Sequence, residues 1–400
     1  MNAILAAWNR FFFAEQSPMP LALFRIVYGF LVIMTLLLLK ADWLSWYGTH
    51  AWMSLDTMRE LEPGIRLNLF TILPKDDHWI IAVFWIFLAS AALLTVGFLS
   101  RLNSIVVYLC LASIQQRNLY ILHGGDTFLR VAGFFLIFAP AGAALSVDRL
   151  VRVRRGREQS EVPAHRLWAQ RMIQIELSLM YLATFCWKLK GAAWMEGSAL
   201  FYIFHVFELQ RFPLPDWLLE PGILKLGTWF AMVLEFSLGT LIWVRRMRYK
   251  VLAAGLLFHL SLEYSLNIPM FQWDVLSAYL LFVDAEDLRR AWNWICVRVS
   301  PWLGEPVTVL YDSHSGRARR LVNLLTTLDI FRRLTFKASA ETRNRTAAEA
   351  QRHKRKLVII TPSGAGLDET DTRRTLAKAI PLLWPLVPYC YVSKAVPNWK

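Results

Sequence analysis

The chain has 400 residues, of which 56% are hydrophobic and only 18% are charged, with a mean hydropathy of +0.37. Soluble globular proteins carry about a quarter charged residues, so this composition argues against an entirely soluble fold. The formal net charge of +14 lies in short loops between apolar runs and in the C-terminal quarter. That placement favours a membrane surface over nucleic acid as the partner of the basic residues.

Apolar runs of membrane-spanning length divide most of the chain. A spanning helix needs about 20 mostly apolar residues. The runs are 21–39, 79–99, 102–116, 128–145, 170–187, 224–244, 251–266 and 272–283. No basic stretch followed by a cleavage site precedes the first run, so we expect an uncleaved span there. The pattern predicts an all-α polytopic bundle of about eight transmembrane helices.

Loop charge gives an orientation for these helices, since cytoplasmic loops carry the excess of Lys and Arg. Two loops are strongly basic, and they contain Arg149, Arg152, Arg154, Arg155, Arg157 and Arg166, and Arg245, Arg246, Arg248 and Lys250. Placing both inside puts both termini in the cytoplasm and segments 40–78, 117–127, 188–222 and 267–271 outside. The outside segments are rich in aromatic residues, which indicates either an aromatic belt or a cavity at membrane level for a lipophilic ligand.

After residue 302 the long apolar runs give way to short predicted strands and helices. Residues 306–311 and 356–360 are predicted strands, 315–328 and 372–383 are predicted helices, and 361–366 is a turn. Segment 343–356 is a basic loop that we expect to face the anionic inner leaflet. This alternation predicts a small C-terminal α/β domain at 306–400, joined by a linker at 291–305 to a transmembrane domain at 1–290.

Two lysines at the outer end of the fifth run are the first candidates for chemistry. Lys188 and Lys190 precede Trp194 and Glu196. An amine in an apolar pocket loses the hydration of its charged form and can act as a neutral base. The alternative is that each lysine simply reaches the headgroups from the helix end.

Three further groups of polar residues lie at membrane depth, where ionisable groups are functional candidates. Asp126 follows Gly-Gly and either caps a helix that begins at Thr127 or makes a polar contact to a ligand or to Lys188. His259 and Glu263 are four residues apart, which is compatible with metal ligation but favours a polar network, because no supporting ligands follow. Arg25 in the first run must either reach the membrane surface or pair with an acidic residue, for which we consider Glu176 or Glu235. Four scattered cysteines predict neither a disulfide framework nor a metal site.

Several short segments together resemble the HTTM (horizontally transferred transmembrane) family, which is related to the vitamin K-dependent γ-glutamyl carboxylases. They run in family order and are Phe24-Arg25 with Gly29, Gly124-Gly125-Asp126, Ser146-Val147-Asp148, Tyr181 to Lys188 with Trp194-Met195-Glu196-Gly197, and His259 with Asn267-Ile268-Pro269-Met270-Phe271.

The resemblance implies a quinol-dependent carboxylase. In that chemistry a neutral lysine deprotonates a reduced quinone, whose oxygenation yields a strong base that removes a γ-proton from a peptide glutamate. Lys188 best fits the family lysine, with Lys190 open as the alternative. His259 matches a family histidine, whereas Asp126 stands where the family has one. Substrate contacts are assigned to four residues, Arg25, Trp194, Glu196 and Asn267.

The tail resembles the DCC type of thiol-disulfide oxidoreductase domain, which implies a thioredoxin-like fold. Both cysteines of its motif are replaced here, by Ser315 and Ala318. Because exchange needs a thiolate and a resolving thiol, we expect no dithiol chemistry.

Two functional hypotheses follow. The first is a quinol-coupled, carboxylase-like enzyme of a bacterial-type inner membrane, with a reduced quinone of the vitamin K or menaquinol type as cofactor, no metal, and a peptide or protein substrate on the outer face. The second is a non-catalytic membrane scaffold that serves as a maturation or export partner. In both, the lipid bilayer is the principal partner and nucleic acid is not one.

Overall fold

The computed structural model describes residues 2–62, 64, 68–303, 306–338, 357–360, 375–376 and 379–380. The chain divides into two compact units. The first unit contains Met1–Ser146 and Pro163–Asp284, and the second contains Val147–Val162 and Ala285–Lys400. The predicted limits at residues 290 and 305 stay a prediction, and no sequence signal indicated that residues 147–162 group with the C-terminal part.

The first unit is helical apart from one short ribbon, β1 (Glu15–Gln16) paired antiparallel with β2 (His165–Arg166). Its helices are α1 (Asn2–Phe13), α2 (Met19–Leu39), α3 (Trp43–Tyr47), α4 (Leu55–Leu61), α5 (Asp77–Val96), α6 (Ser100–Arg117), α7 (Gly124–Phe138), α9 (Trp168–Lys188), α10 (Ala192–Glu196), α11 (Ala199–Phe204), α12 (Pro221–Gly239), α13 (Arg245–Ser265) and α14 (Phe271–Tyr279).

Each of the eight apolar runs contains one of these helices. Among the residues that the structure describes, three helices are both long and apolar enough to cross a bilayer, namely α2, α5 and α12. Membrane helices are therefore present, and the count of eight spans and the orientation of the termini stay predictions. The helix predicted over 128–145 ends earlier than expected, because α7 stops at Phe138. Pro140, two residues later, cannot donate a helical hydrogen bond.

Apolar side chains cover the outer faces of the long helices. On α12, for example, Leu226, Phe230 and Val233 are each more than half exposed. The opposite face of this helix buries Thr228, Ala231, Glu235 and Leu238. An apolar surface around a partly polar interior is the arrangement that lipid favours, because lipid tails solvate the outside and protein groups satisfy the polar atoms inside.

Helix α14 lies at the centre of the unit. It packs against α2, α7, α9 and α13, which explains why its polar residues Gln272, Asp274 and Ser277 are all buried. These side chains therefore point into the bundle rather than to solvent, although the helix is only nine residues long.

Arg25 joins α2 to the segment that follows α7. Its guanidinium donates hydrogen bonds to the carbonyl oxygens of Ala141 at 2.7 Å and Leu145 at 2.5 Å, and to two further carbonyls, those of Thr95 and Ala144. Of the two acidic partners considered, Glu235 pairs with Lys188 instead, and Glu176 stays a prediction. Carbonyls of the segment after α7 and of the last turn of α5 thus bind this buried cation.

The second unit contains α8 (Val147–Arg154), α15 (Ala285–Val299), β3 (Val307–Tyr311), α16 (Gly316–Leu328), β4 (Leu334–Ala338) and β5 (Leu357–Ile360). The strand order is β4-β3-β5, with β3 parallel to β4 and antiparallel to β5. Strand β4 was missed by sequence reasoning, so the predicted strand at 356–360 is the third strand and not the second. Loop 343–356, turn 361–366 and most of the helix predicted at 372–383 lie outside the described residues.

Ser315 and Ala318, which stand where the DCC-type motif would have its cysteines, lie at the start of α16. Ser315 is the N-cap, and its Oγ accepts a hydrogen bond from the amide of Ala318 at 3.3 Å. A cap of this kind stabilises the first turn of a helix and involves no thiol. A thioredoxin-like fold for the whole tail stays a prediction.

Candidate active site

Lys188 lies in a largely enclosed position at the end of α9. Its Nζ pairs with the carboxylate of Glu235 on α12 and lies 4.2 Å from the centroid of the Trp194 ring. The Lys188 side chain is 19% exposed and that of Glu235 is 9% exposed. The amine is thus held between a carboxylate and an aromatic face, two kinds of group that commonly bind a lysine side chain.

Lys190 has a different environment. It is exposed, and its Nζ lies 4.6 Å from the centroid of the Trp187 ring, which is itself 71% exposed. This arrangement is typical of a lysine at a helix end that reaches the membrane surface. The two lysines that the sequence could not tell apart are therefore distinguished by burial and by partner.

The short helix α10 supplies the aromatic face over Lys188. It is joined to α12 by a hydrogen bond from Trp229 Nε1 to the carbonyl of Met195 at 3.1 Å. Trp194 and Glu235 are consequently both carried by the α10–α12 pair, while Lys188 enters from α9. Glu196, at the end of α10, is exposed, and its assignment to substrate binding stays a prediction.

A buried hydrogen-bonded network surrounds His259. Its Nε2 lies 2.7 Å from Tyr181 Oη, which is 2.8 Å from Tyr279 Oη. Its Nδ1 lies 2.5 Å from Gln272 Oε1. A glutamine oxygen accepts, so the Nδ1 donates and the Nε2 accepts the Tyr181 hydroxyl, given this amide orientation.

Tyr181 connects this network to Lys188 along one helix. The two residues are seven apart on α9, which is about two helical turns and places them on the same face. The same face of α9 therefore carries first the tyrosine of the His259 network and then the lysine that meets Glu235.

Asp126 closes the N-terminus of α7. The helix begins at Gly124, His123 is its N-cap, and the carboxylate of Asp126 accepts the amide of His123 at 2.9 Å. The sequence prediction that Asp126 itself caps the helix at Thr127 is corrected to the third position of a capping box, with His123 as the cap. Its assignment to catalysis stays a prediction.

Asp274 lies against the same turn. A side chain on Gly125 would come within 2.8 Å of its Oδ2, and within the described part of the chain neither of its carboxylate oxygens has a hydrogen-bond partner. The ring of Phe271 lies between the two histidines, 5.6 Å from His123 and 6.5 Å from His259. The capping box of α7 and the His259 network are thus parts of one interior polar region around α14.

His259 and Glu263 do not share partners, although they share a helix. Glu263 pairs with Arg211, and the amide of Asn267 donates to the carbonyl of Leu209 at 2.6 Å. These contacts fasten the segment after α11 to the end of α13. The predicted common network of His259 and Glu263 is therefore two separate sets of contacts. Asn267, which was predicted to bind substrate, is exposed. Among the residues described, no group of three or more His, Cys, Asp or Glu side chains is arranged to hold a metal ion.

An apolar pocket of about 510 Å³ opens between α11, α12 and α13. Its lining includes Leu200, Phe204, Leu224, Phe230, Leu257 and Phe258. The helices that line it also carry Glu235 and His259, so an apolar ligand there would lie along the elements that build the polar site.

Sequence reasoning found Lys188, His259 and Asp126 but missed Tyr181, Gln272 and Asp274 as site residues, and considered Glu235 only as a partner of Arg25. The available signal was a polar residue within an apolar run, which Gln272, Asp274 and Glu235 all provide.

The HTTM domain matches residues 13–286, the part of the chain that contains this site. The chain belongs to the HTTM family. It is also similar to the sporulation-delaying protein SdpB of Bacillus subtilis (strain 168), with 25% identity over 209 residues. That match covers 50% of this HTTM protein and 64% of SdpB. No solved structure matches the chain.

Proposed function

We propose that this HTTM protein is a membrane-embedded acid–base enzyme of the quinol-dependent, carboxylase-like class, with Lys188 as the base. The observation that carries the proposal is the enclosure of Lys188 between Glu235 and Trp194, in contrast to the exposed Lys190. A lysine that only anchored the helix end would have no need of a buried carboxylate on another helix.

The pair can exchange one proton internally. Transfer of a proton from the Lys188 ammonium to the Glu235 carboxylate gives a neutral amine and a neutral acid and leaves the net charge of the site unchanged. In a medium of low dielectric constant the neutral pair avoids the cost of keeping two ions away from water. The proton would pass to the carboxylate oxygen of Glu235 that already contacts the Lys188 amine.

A neutral Lys188 amine can then take a proton from an acidic hydroxyl placed beside it. The phenolic hydroxyl of a reduced quinone is such a group, and a bound quinol would supply the electrons for reaction with oxygen. The apolar pocket along α11–α13 suits a lipophilic molecule in shape and lining. Trp194 would exclude water from the amine, and the His259 network would hold α9, α13 and α14 in register.

For the macromolecular substrate we propose only a class of molecule. The predicted outer segments and the relation to the carboxylases favour a peptide or protein on the outer face. The similarity to SdpB identifies no residue that would bind such a substrate.

A non-catalytic scaffold is the second candidate. It is favoured by one observation, namely that Lys188, Glu235 and Trp194 already satisfy one another and join α9, α10 and α12 without any ligand. In that case the trio stabilises the bundle, and partners bind elsewhere.

The two candidates are separated by quinol oxidation in isolated membranes, measured as oxygen uptake with a reduced menaquinone analogue. We expect Lys188→Ala to lower the rate at least about a hundredfold, since loss of a general base costs about 10²–10⁴ in rate. Lys190→Ala is the matched control, because it removes an identical side chain two residues away and should leave the rate within about twofold.

Equal rates for the two alanine variants, each with wild-type amounts of folded protein in the membrane, would refute Lys188 as the base. Absence of quinol-dependent oxygen uptake in the wild type as well would favour the scaffold.

A further inference from the structure

The loop that follows α8 is held in a defined shape. The amides of Gly156 and Arg157 donate to the carbonyls of Val153 and Arg152, both at 2.9 Å. This is a Schellman termination, and Gly156 takes the left-handed conformation that it requires, with φ +72°. The helix therefore ends at a fixed point and the chain turns back on itself.

Two arginines of α8 bind the part of this loop that runs back along the helix. Arg149 is buried and donates to the carbonyl of Ser160 at 2.6 Å, and Arg152 pairs with Glu158. The carboxylate of Glu158 is therefore already neutralised from within α8. Arg155 and Arg157, at the tip of the loop, remain exposed.

The first turn of α16 lies against this loop within the second unit. The side-chain Cδ of Arg320 lies 3.1 Å from the position that a Cβ on Gly156 would occupy, so the stem of Arg320 lies close against this glycine. Arg320 also bonds the carbonyl of Gly316 through Nε at 3.3 Å. At Gly316 itself a Cβ would meet nothing within 4 Å, so the backbone at the helix start is accessible.

Between the loop and α16 lies a pocket of about 730 Å³. Four arginines from two separate segments line it, and they are Arg155, Arg157, Arg319 and Arg320. Among the described residues, its one lining carboxylate is that of Glu158, the group already paired with Arg152. Concentration of guanidinium groups in a concave space beside the positive end of a helix gives strong, directed affinity for phosphate oxygens.

We propose that this pocket binds a phosphate-bearing ligand, with Arg319 and Arg320 on one side and Arg155 and Arg157 on the other. The proposal is independent of the quinol site, because all of its residues belong to the second unit. A phosphate group has two sources beside a membrane, namely a soluble phosphate and the headgroup of an anionic lipid. The chemistry of recognition is the same for both.

The test uses the full-length protein and two probes. In a detergent without phosphorus, binding of inorganic phosphate is measured by phosphorus NMR line broadening. In nanodiscs of phosphatidylcholine with a minor fraction of phosphatidylglycerol, the phosphatidylglycerol retained per protein after exchange into detergent is measured by mass spectrometry. The test variant is Arg319→Gln/Arg320→Gln, and the control is Arg289→Gln/Arg290→Gln on α15, which removes the same charge from exposed residues of the same unit.

We expect the test variant to weaken binding about tenfold or more, since one hydrogen bond to a charged group is worth about that much. The control variant should bind within about threefold of wild type, because Arg289 and Arg290 do not line the pocket. Loss in the phosphate arm alone identifies a soluble ligand, and loss in the lipid arm alone identifies a headgroup; both results support the site.

Equal losses in the test and control variants would overturn the proposal, because the effect would then follow total charge. Failure of the wild type to bind either probe above the test variant would overturn it too. Neither result depends on quinol oxidation, so the two proposals can fail separately.

Discussion

The amine of Lys188 is stabilised by residues that come from two other helices. Glu235 arrives from α12 and Trp194 from α10, and both lie within contact of one nitrogen. Ion pairs of this kind, shielded from water, are sensitive to the removal of one partner because the other is left as an uncompensated charge. The same sensitivity allows the pair to be tested without an activity assay.

We expect Lys188→Met and Glu235→Leu to destabilise the protein by about 3–5 kcal/mol each, because each leaves one buried charge behind. The double variant should be more stable than either single variant, since it removes both charges together. Thermal unfolding in detergent, followed by intrinsic tryptophan fluorescence, gives the double-mutant cycle. Additive losses would show that the two side chains do not interact.

A second prediction at the residue scale concerns Asp126. Its carboxylate satisfies the amide of His123 in the capping box of α7, so Asp126→Ala should lower stability by about 1 kcal/mol. Asp126→Asn keeps an acceptor oxygen and should lose less. If quinol oxidation falls in Asp126→Asn while its melting temperature is unchanged, the residue has a role in the reaction beyond capping.

Individual positions of this site could be anticipated from the sequence, but their partners could not. A lysine at a helix end and a histidine inside an apolar run are visible in the printed chain. The pairing of Lys188 with Glu235, rather than of Arg25 with Glu235, depends on how each helix is rotated about its axis. Arg25 donates to backbone carbonyls, which every residue has, so no side-chain pattern could have indicated these contacts.

At the scale of elements, the Tyr28 side chain of α2 reaches α7 at one small residue, Gly133. A Cβ on Gly133 would collide with Tyr28 Oη, whose hydroxyl donates to the carbonyl of Leu129 at 3.1 Å. Gly133→Ala should therefore destabilise the protein by about 1–3 kcal/mol through overpacking. Thermal unfolding measures the loss.

The matched control for this contact is the double variant Gly133→Ala/Tyr28→Phe. Loss of the hydroxyl removes the nearest atom, and the ring carbon behind it lies 3.3 Å from the new methyl position. We expect the double variant to recover part of the stability. A Gly133→Ala protein as stable as wild type would mean that the two helices are further apart than the structure places them.

Helix positions were predictable because apolar periodicity reports local structure, and each predicted run does contain a helix. Helix ends and strands were less predictable from the sequence. In the run 128–145 the residues after Pro140 are still mostly apolar, although the helical hydrogen bonding of α7 ends before this proline. Strand β4 has only five residues, two of them polar, and it pairs with β3 through contacts that no local pattern records.

For the whole molecule, the apolar outer faces of the long helices and the HTTM match establish a membrane protein, while the orientation is still a prediction from loop charge. It can be tested with single cysteines placed in a variant from which the four native cysteines have been removed. In intact spheroplasts, a membrane-impermeant maleimide should label Glu60→Cys, in a predicted outside segment, and spare Arg154→Cys, in a predicted inside loop. The reverse pattern would invert the topology and place Lys188 at the inner face.

The enclosure of Lys188 underlies the proposed chemistry, and amine reactivity measures it directly. The full-length protein is treated with limiting formaldehyde and cyanoborohydride, and dimethylation at each lysine is quantified by mass spectrometry, with the exposed Lys190 and Lys225 as references within the same molecule. We expect Lys188 to react about tenfold or more slowly than both, because its nitrogen is paired with Glu235 and covered by Trp194. Equal reactivity of Lys188 and Lys190 would contradict the enclosure and, with it, the assignment of Lys188 as the base.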